Sequence, residues 1–130
     1  NRVIPQFIKM ALTDGKIVMK SSGSMRRSYV YVADVAVAII KLLSSSFTGV
    51  VNVCGKEVVS IRQLAQTICD ATGATLEVDP EFATNAQGTS PFSGGVLDCE
   101  KLIGFGYTPE FDIKNGIRSA IAIYKENKTC

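Results

Sequence analysis

The stretch Gly23-Ser24-Met25-Arg26-Arg27-Ser28-Tyr29-Val30-Tyr31-Val32-Ala33-Asp34-Val35 decides how the surrounding chain folds. Residues Ser28 to Val32 are β-formers, with tyrosines on one face and valines on the other, which predicts a strand. Asp34 follows at once, and its negative charge favours a helix N-terminus. We therefore expect a strand that runs directly into a helix.

Two arginines, Arg26 and Arg27, precede this strand. The residues alone leave two interpretations open. In the first, the pair belongs to a solvated turn. In the second, a planar guanidinium at the strand edge binds a phosphate through two parallel hydrogen bonds.

Three further helices are predicted from spacing. The first has Pro5 in its opening turn and stops at Gly15, the next runs from the capping box Ser60-Ile61-Arg62-Gln63 to Gly73, and the last starts at Asp112. The apolar faces expected to point inward in the four helices are Ile4, Phe7, Ile8, Ala11 and Leu12; Val35, Ile39, Leu42 and Leu43; Ile61, Leu64, Ala65 and Ile68; and Ile113, Ile117, Ala120, Ile121 and Tyr124.

Short strands are predicted between these helices. Lys16 to Lys20 and Leu76 to Val78 are candidates, and the apolar run Val50 to Val53 is typical of a strand buried on both faces. Strands that alternate with about four helices predict a small mixed α/β domain. The segment Ala83 to Gly95 is polar and shows no hydrophobic periodicity, so we expect a loop that is either functional or disordered.

Composition places the chain among ordinary globular proteins. It has 130 residues, 46% hydrophobic and 20% charged, so we expect one domain over residues 1–130. A net charge of +2 is too small to argue for nucleic acid or an anionic membrane surface, and no apolar stretch approaches the ~20 residues of a membrane span. Because the chain opens on Asn1 rather than Met, immediately before a helix pattern, we expect a piece of a longer protein.

The absence of histidine excludes imidazole chemistry. With 0 His, the chain has no Ser-His-Asp or Cys-His nucleophile and no imidazole metal ligand. The 4 cysteines are scattered, so we expect neither a metal site nor a disulfide framework, but reduced thiols in the cytoplasm.

The chain lacks the two common nucleotide-binding signatures. Neither G-x-G-x-x-G nor G-x-x-x-x-G-K-[ST] occurs, so a dinucleotide site within this chain is not expected. Tyr124 and Lys128 have the Y-x-x-x-K spacing of short-chain dehydrogenases, but they lie at the end of the last helix, where chance explains them better.

The stretch around Arg27 resembles the extended short-chain dehydrogenase/reductase family of NAD-dependent nucleotide-sugar epimerases, dehydratases and reductases. Those enzymes carry G-[DS]-G-x-x-x-R-[DS]-[FY]-[IV]-[YH]-V-x-D-[VL]-A. The likeness extends over roughly residues 2 to 126, and the stretches that resemble family motifs are Arg2 to Ile8, Ser22 to Ala36, Gly49 to Gly55, Val59 to Ala65, Leu97 to Leu102, Gly106 to Pro109 and Asn115 to Ile117.

This resemblance implies the C-terminal, substrate-binding region of a nucleotide-sugar enzyme, without its NAD-binding Rossmann half. By motif, Arg27 would hold the diphosphate, while Arg2 and Val3 would lie along the nucleotide and the loop before Asp98 would close over it. NAD would belong to the parent enzyme, in which hydride transfer is transient, and this region alone would be inactive. Homo-oligomerisation is also expected.

Departures from the pattern leave an alternative open. The family often supplies a second phosphate-binding arginine before its D-x-S-K motif, yet no arginine lies between Arg62 and Arg118. The rival hypothesis is therefore a non-catalytic regulatory or interaction subunit that has kept the fold.

Overall fold

The fold is α/β, as the sequence predicts. The computed structural model describes residues 2–83 and 96–127. In chain order its helices and strands are α1 (Val3–Thr13), β1 (Lys16–Met19), β2 (Arg26–Ser28), α2 (Val32–Leu43), β3 (Val58–Ser60), α3 (Ile61–Thr72), β4 (Thr75–Val78), α4 (Pro80–Ala83), α5 (Glu100–Gly104) and α6 (Ile113–Glu126). The short helices α4 and α5 were not predicted.

Local capping signals place three helix ends as expected. At α3 the Ser60 hydroxyl accepts from the Gln63 amide N–H and the Gln63 side chain accepts from the Ser60 N–H, which completes the capping box. Gly73 ends that helix in the left-handed conformation, with φ of 78°. At α6 the Asp112 carboxylate accepts from the Asn115 N–H at 2.7 Å.

Two small sheets join distant parts of the chain. β1 pairs with β4 in parallel, with Ile17 opposite Leu76, and β2 pairs with β3 antiparallel, with Arg27 opposite Val59. Helices α1, α3 and α6 pack around them. The first core cluster consists of Phe7, Ile8, Ala11, Ile17, Met19, Leu64, Ala65, Ile68, Cys69, Ile117 and Ile121.

A second core cluster lies beneath α2 and α5. It contains Ala38, Leu102 and Tyr107 together with Cys54 and Cys99. The Tyr107 hydroxyl donates to the carbonyl of Cys54 at 3.3 Å, and burial raises the pKa of this tyrosine, with a further contribution from the charge of Asp34. Cys54 and Cys99 form a disulfide. The expectation of four reduced thiols is therefore wrong for this pair, because the fold brings together cysteines that lie 45 residues apart.

The predicted strand from Ser28 to Val32 is displaced toward the N-terminus. The β2 ladder ends at Ser28, and Val32 is already the first residue of α2. Asp34, in the first turn of α2, is buried and accepts from the backbone N–H groups of Glu110 at 3.0 Å and Phe111 at 3.2 Å. These bonds tie the start of α2 to the segment before α6, which draws the chain away from the sheet.

The predicted strand from Val50 to Val53 is wrong. These residues form no strand pairing within the described chain, and Val50 is 84% exposed. Val51 and Val53 pack against the second core cluster, whereas the Asn52 side chain donates to the carbonyl of Asp98 at 2.9 Å. The run is therefore buried on one face only, because no described strand lies beside it.

The apolar face predicted for α2 is wrong at Ile39 and Leu43, although Leu42 does pack against the second core cluster. Asp34 and Ala38 face inward, whereas Ile39 is 50% and Leu43 is 81% exposed. Since α2 is apolar almost all round, its spacing does not define one buried side, and the buried Asp34 sets its rotation. The exposed face of α2 consists of Val32, Ala36, Ile39, Ile40 and Leu43.

Gly55 is required where two segments touch. A Cβ atom at this position would collide with the carbonyl oxygen of Tyr29, which is backbone and cannot rotate away. We expect Gly55→Ala to lower the free energy of unfolding by about 1–3 kcal/mol, as overpacking typically does. Urea denaturation provides the measurement. Gly104→Ala is the matched control, because a Cβ there meets nothing within 4 Å, and equal stability losses in the two variants would contradict the contact.

Candidate functional site

A polar loop, Ser21 to Met25, joins β1 to β2 and lines a cavity of about 160 Å³. The opposite walls are Val3, at the start of α1, and Ile61, at the start of α3. Backbone bonds fix the loop against α3: the N–H of Ile61 donates to the carbonyl of Met25, and the N–H of Arg62 donates to the carbonyl of Gly23, both at 3.0 Å. The cavity thus joins segments that are far apart in sequence.

Gly23 allows this close approach. Its φ of +67° lies in the left-handed region, and an added Cβ would come within 2.8 Å of Met19 Cε and 2.9 Å of the Arg62 backbone nitrogen. The backbone of the loop therefore packs directly on α3, which a larger residue would prevent.

Arg27 contacts the wall of this cavity through Met25. Its side chain is exposed, and one Nη2–H donates to the Sδ of Met25 at 3.2 Å, a weak acceptor. Within the described part of the chain no carboxylate pairs with this guanidinium. Because Met25 itself lines the cavity, the guanidinium of Arg27 lies one side chain away from it, and its exposed charge is available to an anion.

Arg26 is used differently. Its Nη2–H donates to the carbonyl of Val58, on the paired strand β3, at 2.7 Å. That bond fixes the side chain against its own sheet, so the two neighbouring arginines have different surroundings.

Arg2 and Val3 form the start of α1. Arg2 is the exposed N-cap residue, and its side chain makes no capping bond. The N–H groups of Val3 and Ile4 have no preceding helical carbonyl to bond, and the first turn contains no acidic residue. The partial positive charge of a helix N-terminus therefore adjoins the cavity that Val3 lines.

Tyr29 lies two residues beyond Arg27 and packs against the first core cluster. Its hydroxyl is buried and has no hydrogen-bond partner among the described residues. Burial raises the pKa of Tyr29, and the nearby charge of Arg27 offsets part of that rise.

Sequence reasoning missed a second arginine at the loop. Arg62 donates from Nε to the carbonyl of Ser22 at 3.3 Å, so its guanidinium adjoins the same polar segment. The contact spans 40 residues. The capping box predicts that Arg62 lies in the first turn of α3, but no local signal indicates which loop that turn faces.

Two sequence-derived features remain outside this site. Tyr124 packs against the first core cluster, and Lys128 lies outside the described residues. The same is true of residues 84–95, which make up nearly all of the loop expected to cover a nucleotide.

Residues 2–83 and 96–127 contain neither a metal-binding cluster nor a membrane-spanning helix. No group of three or more Cys, Asp or Glu side chains there could hold a metal ion. None of the described helices is both long and apolar enough to cross a membrane.

The family comparison matches the N-terminal part of the chain, which supplies every lining residue of this cavity except Ile61. Residues 1–54 match the NAD dependent epimerase/dehydratase family. That range contains α1, β1, the polar loop, β2 and α2. The family suggested by the sequence motifs is thereby supported.

Curated relatives extend the likeness to the rest of the chain. The trifunctional UDP-glucose 4,6-dehydratase/UDP-4-keto-6-deoxy-D-glucose 3,5-epimerase/UDP-4-keto-L-rhamnose-reductase of Arabidopsis thaliana is 30% identical over 97% of this chain and 19% of the relative. Human dTDP-D-glucose 4,6-dehydratase is 28% identical over 97% of this chain and 37% of its own length. The chain therefore spans much less than half of either relative.

Solved structures show the same fold. The UDP-glucuronic acid 4-epimerase of Bacillus cereus, in complex with UDP-glucuronic acid and NAD, superimposes with a TM-score of 0.81 at 19% identity. The match covers 98% of this chain and 40% of the epimerase. The α/β arrangement of this chain is thus the same as that of the matched part of the epimerase.

Proposed function

We propose that this chain is the C-terminal, substrate-binding region of an NAD-dependent nucleotide-sugar epimerase or dehydratase. In this proposal its ligand is a nucleoside-diphosphate sugar, and the parent enzyme acts by transient hydride transfer. The observation that carries the proposal is the guanidinium of Arg27, which has no carboxylate partner among the described residues and contacts Met25 in the wall of the cavity formed by Val3 and the Ser21 to Met25 loop.

The surroundings of the cavity suit a diphosphate. Arg27 would bind it bidentately, and the N-terminus of α1 would add two backbone donors beside Arg2 and Val3. Arg62 adds positive charge at the loop, although its Nε is already bonded to Ser22. This second arginine weakens the rival hypothesis of a non-catalytic subunit, which rested on the absence of another arginine near the site.

The described residues do not fit NAD. A dinucleotide site needs a glycine-rich turn between a strand and a helix, whose N-terminus takes the pyrophosphate. Here β3 runs straight into α3 at Ser60, and the turn from β2 to α2 contains no glycine. We therefore assign NAD, which supplies hydride transfer in such enzymes, to the remainder of the parent protein. This chain would bind and orient the sugar nucleotide.

Calorimetric titration of the 130-residue chain with UDP-glucose and dTDP-glucose tests the proposed function. We expect saturable binding of at least one of them, and none of free glucose, because the diphosphate supplies most of the contacts. If neither UDP-glucose nor dTDP-glucose binds up to millimolar concentration, the proposal of a nucleotide-sugar site is contradicted.

The chain alone is expected not to bind NAD and not to turn over nucleotide sugars. The reason is that the described strand-to-helix turns lack the glycine-rich geometry that approaches a pyrophosphate. Titration with NAD measures this directly. A dissociation constant in the low micromolar range would contradict the assignment of the cofactor to another part of the parent.

We further propose that the rest of the parent covers the exposed face of α2 and that the protein forms a homo-oligomer. On its own, the chain is expected to self-associate through that face, because exposed apolar patches promote association. Light scattering is the measurement. Ile40→Lys with Leu43→Lys should restore a monomer, whereas Ala122→Lys, on the exposed side of α6, should not. A wild-type monomer at high concentration would contradict the expectation.

A cytoplasmic location is also proposed, in line with the NAD-dependent chemistry. The Cys54–Cys99 disulfide opposes it, since cytosolic proteins rarely keep such bonds. Thiol trapping in intact cells decides the question: alkylation of both cysteines supports the cytoplasm, and protection of both contradicts it.

A further inference from the structure

A second cavity, of about 240 Å³, lies between helices α3 and α6. Its lining consists of Thr67, Asp70 and Ala71 on α3 and of Lys114 and Arg118 on α6. The two helices pack against each other through buried residues of the first core cluster. No lining residue is shared with the first cavity, so the proposed nucleotide site does not use this one.

The α6 wall of this cavity presents positive charge and hydrogen-bond donors only. Lys114 and Arg118 are four residues apart, so their side chains lie on the same face of α6, and both are exposed. Neither side chain has a hydrogen bond or an ion pair with any residue in 2–83 or 96–127. Because like charges at this spacing repel each other, an anion bound between them is stabilising.

The α3 wall presents hydrogen-bond acceptors instead. The hydroxyl of Thr67 already donates its hydrogen to the carbonyl of Gln63 at 2.9 Å, which leaves the oxygen as an acceptor. Asp70 accepts from the side-chain amide of Gln66 at 2.8 Å and, within the described part of the chain, forms no ion pair with either cation of α6. The cavity therefore holds its positive and negative groups apart, on opposite walls.

We propose that this cavity binds a free acidic α-amino acid, such as glutamate. The two carboxylates of the ligand accept from Lys114 and Arg118, and its ammonium group donates to the Asp70 carboxylate and the Thr67 hydroxyl oxygen. Two negative charges and one positive charge on the ligand are the reverse of the three charges in the lining, so the complex is neutral.

The volume of the cavity suits a ligand of this size. A cavity of about 150 Å³ holds a benzene ring in another protein, so about 240 Å³ leaves room for the few additional atoms of an amino acid. The proposal is independent of nucleotide binding, because the two cavities have no residue in common.

The test uses three probes: L-glutamate; glutarate, which lacks only the amino group; and glutamine, in which an amide replaces one carboxylate. Each is titrated into the 130-residue chain by NMR, with the amide resonance of Ala71 as the reporter. We expect saturable binding of glutamate, about 5-fold tighter than that of either other probe, the factor that one exposed ion pair can supply.

Asp70→Asn separates the two ends of the ligand. The substitution removes the negative charge opposite the cations and keeps the shape of the side chain, so it should erase the preference for glutamate over glutarate. The preference for glutamate over glutamine should remain, because Lys114 and Arg118 are unchanged.

Arg118→Ala locates the end that binds carboxylates. It should weaken glutamate binding at least about 5-fold, whereas Lys9→Ala, which removes the same charge from an exposed position on α1, should leave it unchanged. The proposal is overturned if glutamate gives no saturable shift of Ala71 or if glutarate binds as tightly as glutamate. It is also overturned if Asp70→Asn keeps the preference over glutarate, or if Lys9→Ala and Arg118→Ala lose equal affinity.

Discussion

Arg27→Ala is expected to weaken binding of a nucleoside-diphosphate sugar at least ~10-fold, because a charge-assisted hydrogen bond contributes about 1.5–3 kcal/mol and 1.4 kcal/mol corresponds to one decade. The guanidinium contacts the cavity wall at Met25, whose sulfur is its hydrogen-bond acceptor. Because sulfur is a weak acceptor, Arg27 loses little hydrogen-bond energy when it turns from Met25 to a diphosphate. Calorimetric titration of the variant with UDP-glucose measures the loss.

Two control variants sharpen this expectation. Arg26→Ala should change the affinity little, since that side chain is bonded to the carbonyl of Val58 rather than directed to the ligand. Arg27→Lys should recover only part of the loss, because an ammonium cannot form two parallel bonds. Equal affinity in wild type and Arg27→Ala, or damage confined to Arg26→Ala, would show that the site is wrongly assigned.

Reduction of the Cys54–Cys99 disulfide is expected to lower the free energy of unfolding by about 4 kcal/mol, the chain-entropy value for a loop of this length. The bond closes a segment of 45 residues and lies in the second core cluster, where it joins the Val51 to Gly55 segment to the start of α5. Urea denaturation with and without dithiothreitol provides the measurement.

The double variant Cys54→Ala/Cys99→Ala is the control for that experiment. Dithiothreitol should destabilise wild type and leave the double variant unaffected, although Cys69 is still present as a buried free thiol. If dithiothreitol destabilises both proteins, its effect does not come from reduction of this disulfide. If it leaves the stability of wild type unchanged, the predicted contribution of the disulfide is contradicted.

Features that depend on near neighbours in sequence were predictable. The capping box at Ser60, the Gly73 stop and the Asp112 cap each involve residues within a few positions of one another, and all three are present. The β1 and β4 strands were also foreseen, as were the buried faces of α1, α3 and α6.

Features that depend on distant contacts were not predictable. The rotation of α2 is set by the bonds that the Asp34 carboxylate accepts from the backbone N–H groups of Glu110 and Phe111, and no helical period encodes those partners. The disulfide and the contact of Arg62 with the Ser22 carbonyl likewise join segments about 40 residues apart. At the site, motif resemblance singled out Arg27 and Val3, but only the fold brings Arg62 to the same loop.

The position of the nucleotide tests the central proposal most directly. UDP-glucose added to the isotopically labelled chain should shift the amide resonances of Val3, Ser21 to Met25 and Arg27 in a saturable manner, because these residues form or flank the cavity. The resonance of Gly116, on α6, should not move. Saturable shifts confined to the first set would support nucleotide binding at Arg27, whereas shifts around Gly116 alone, or none at all, would contradict it.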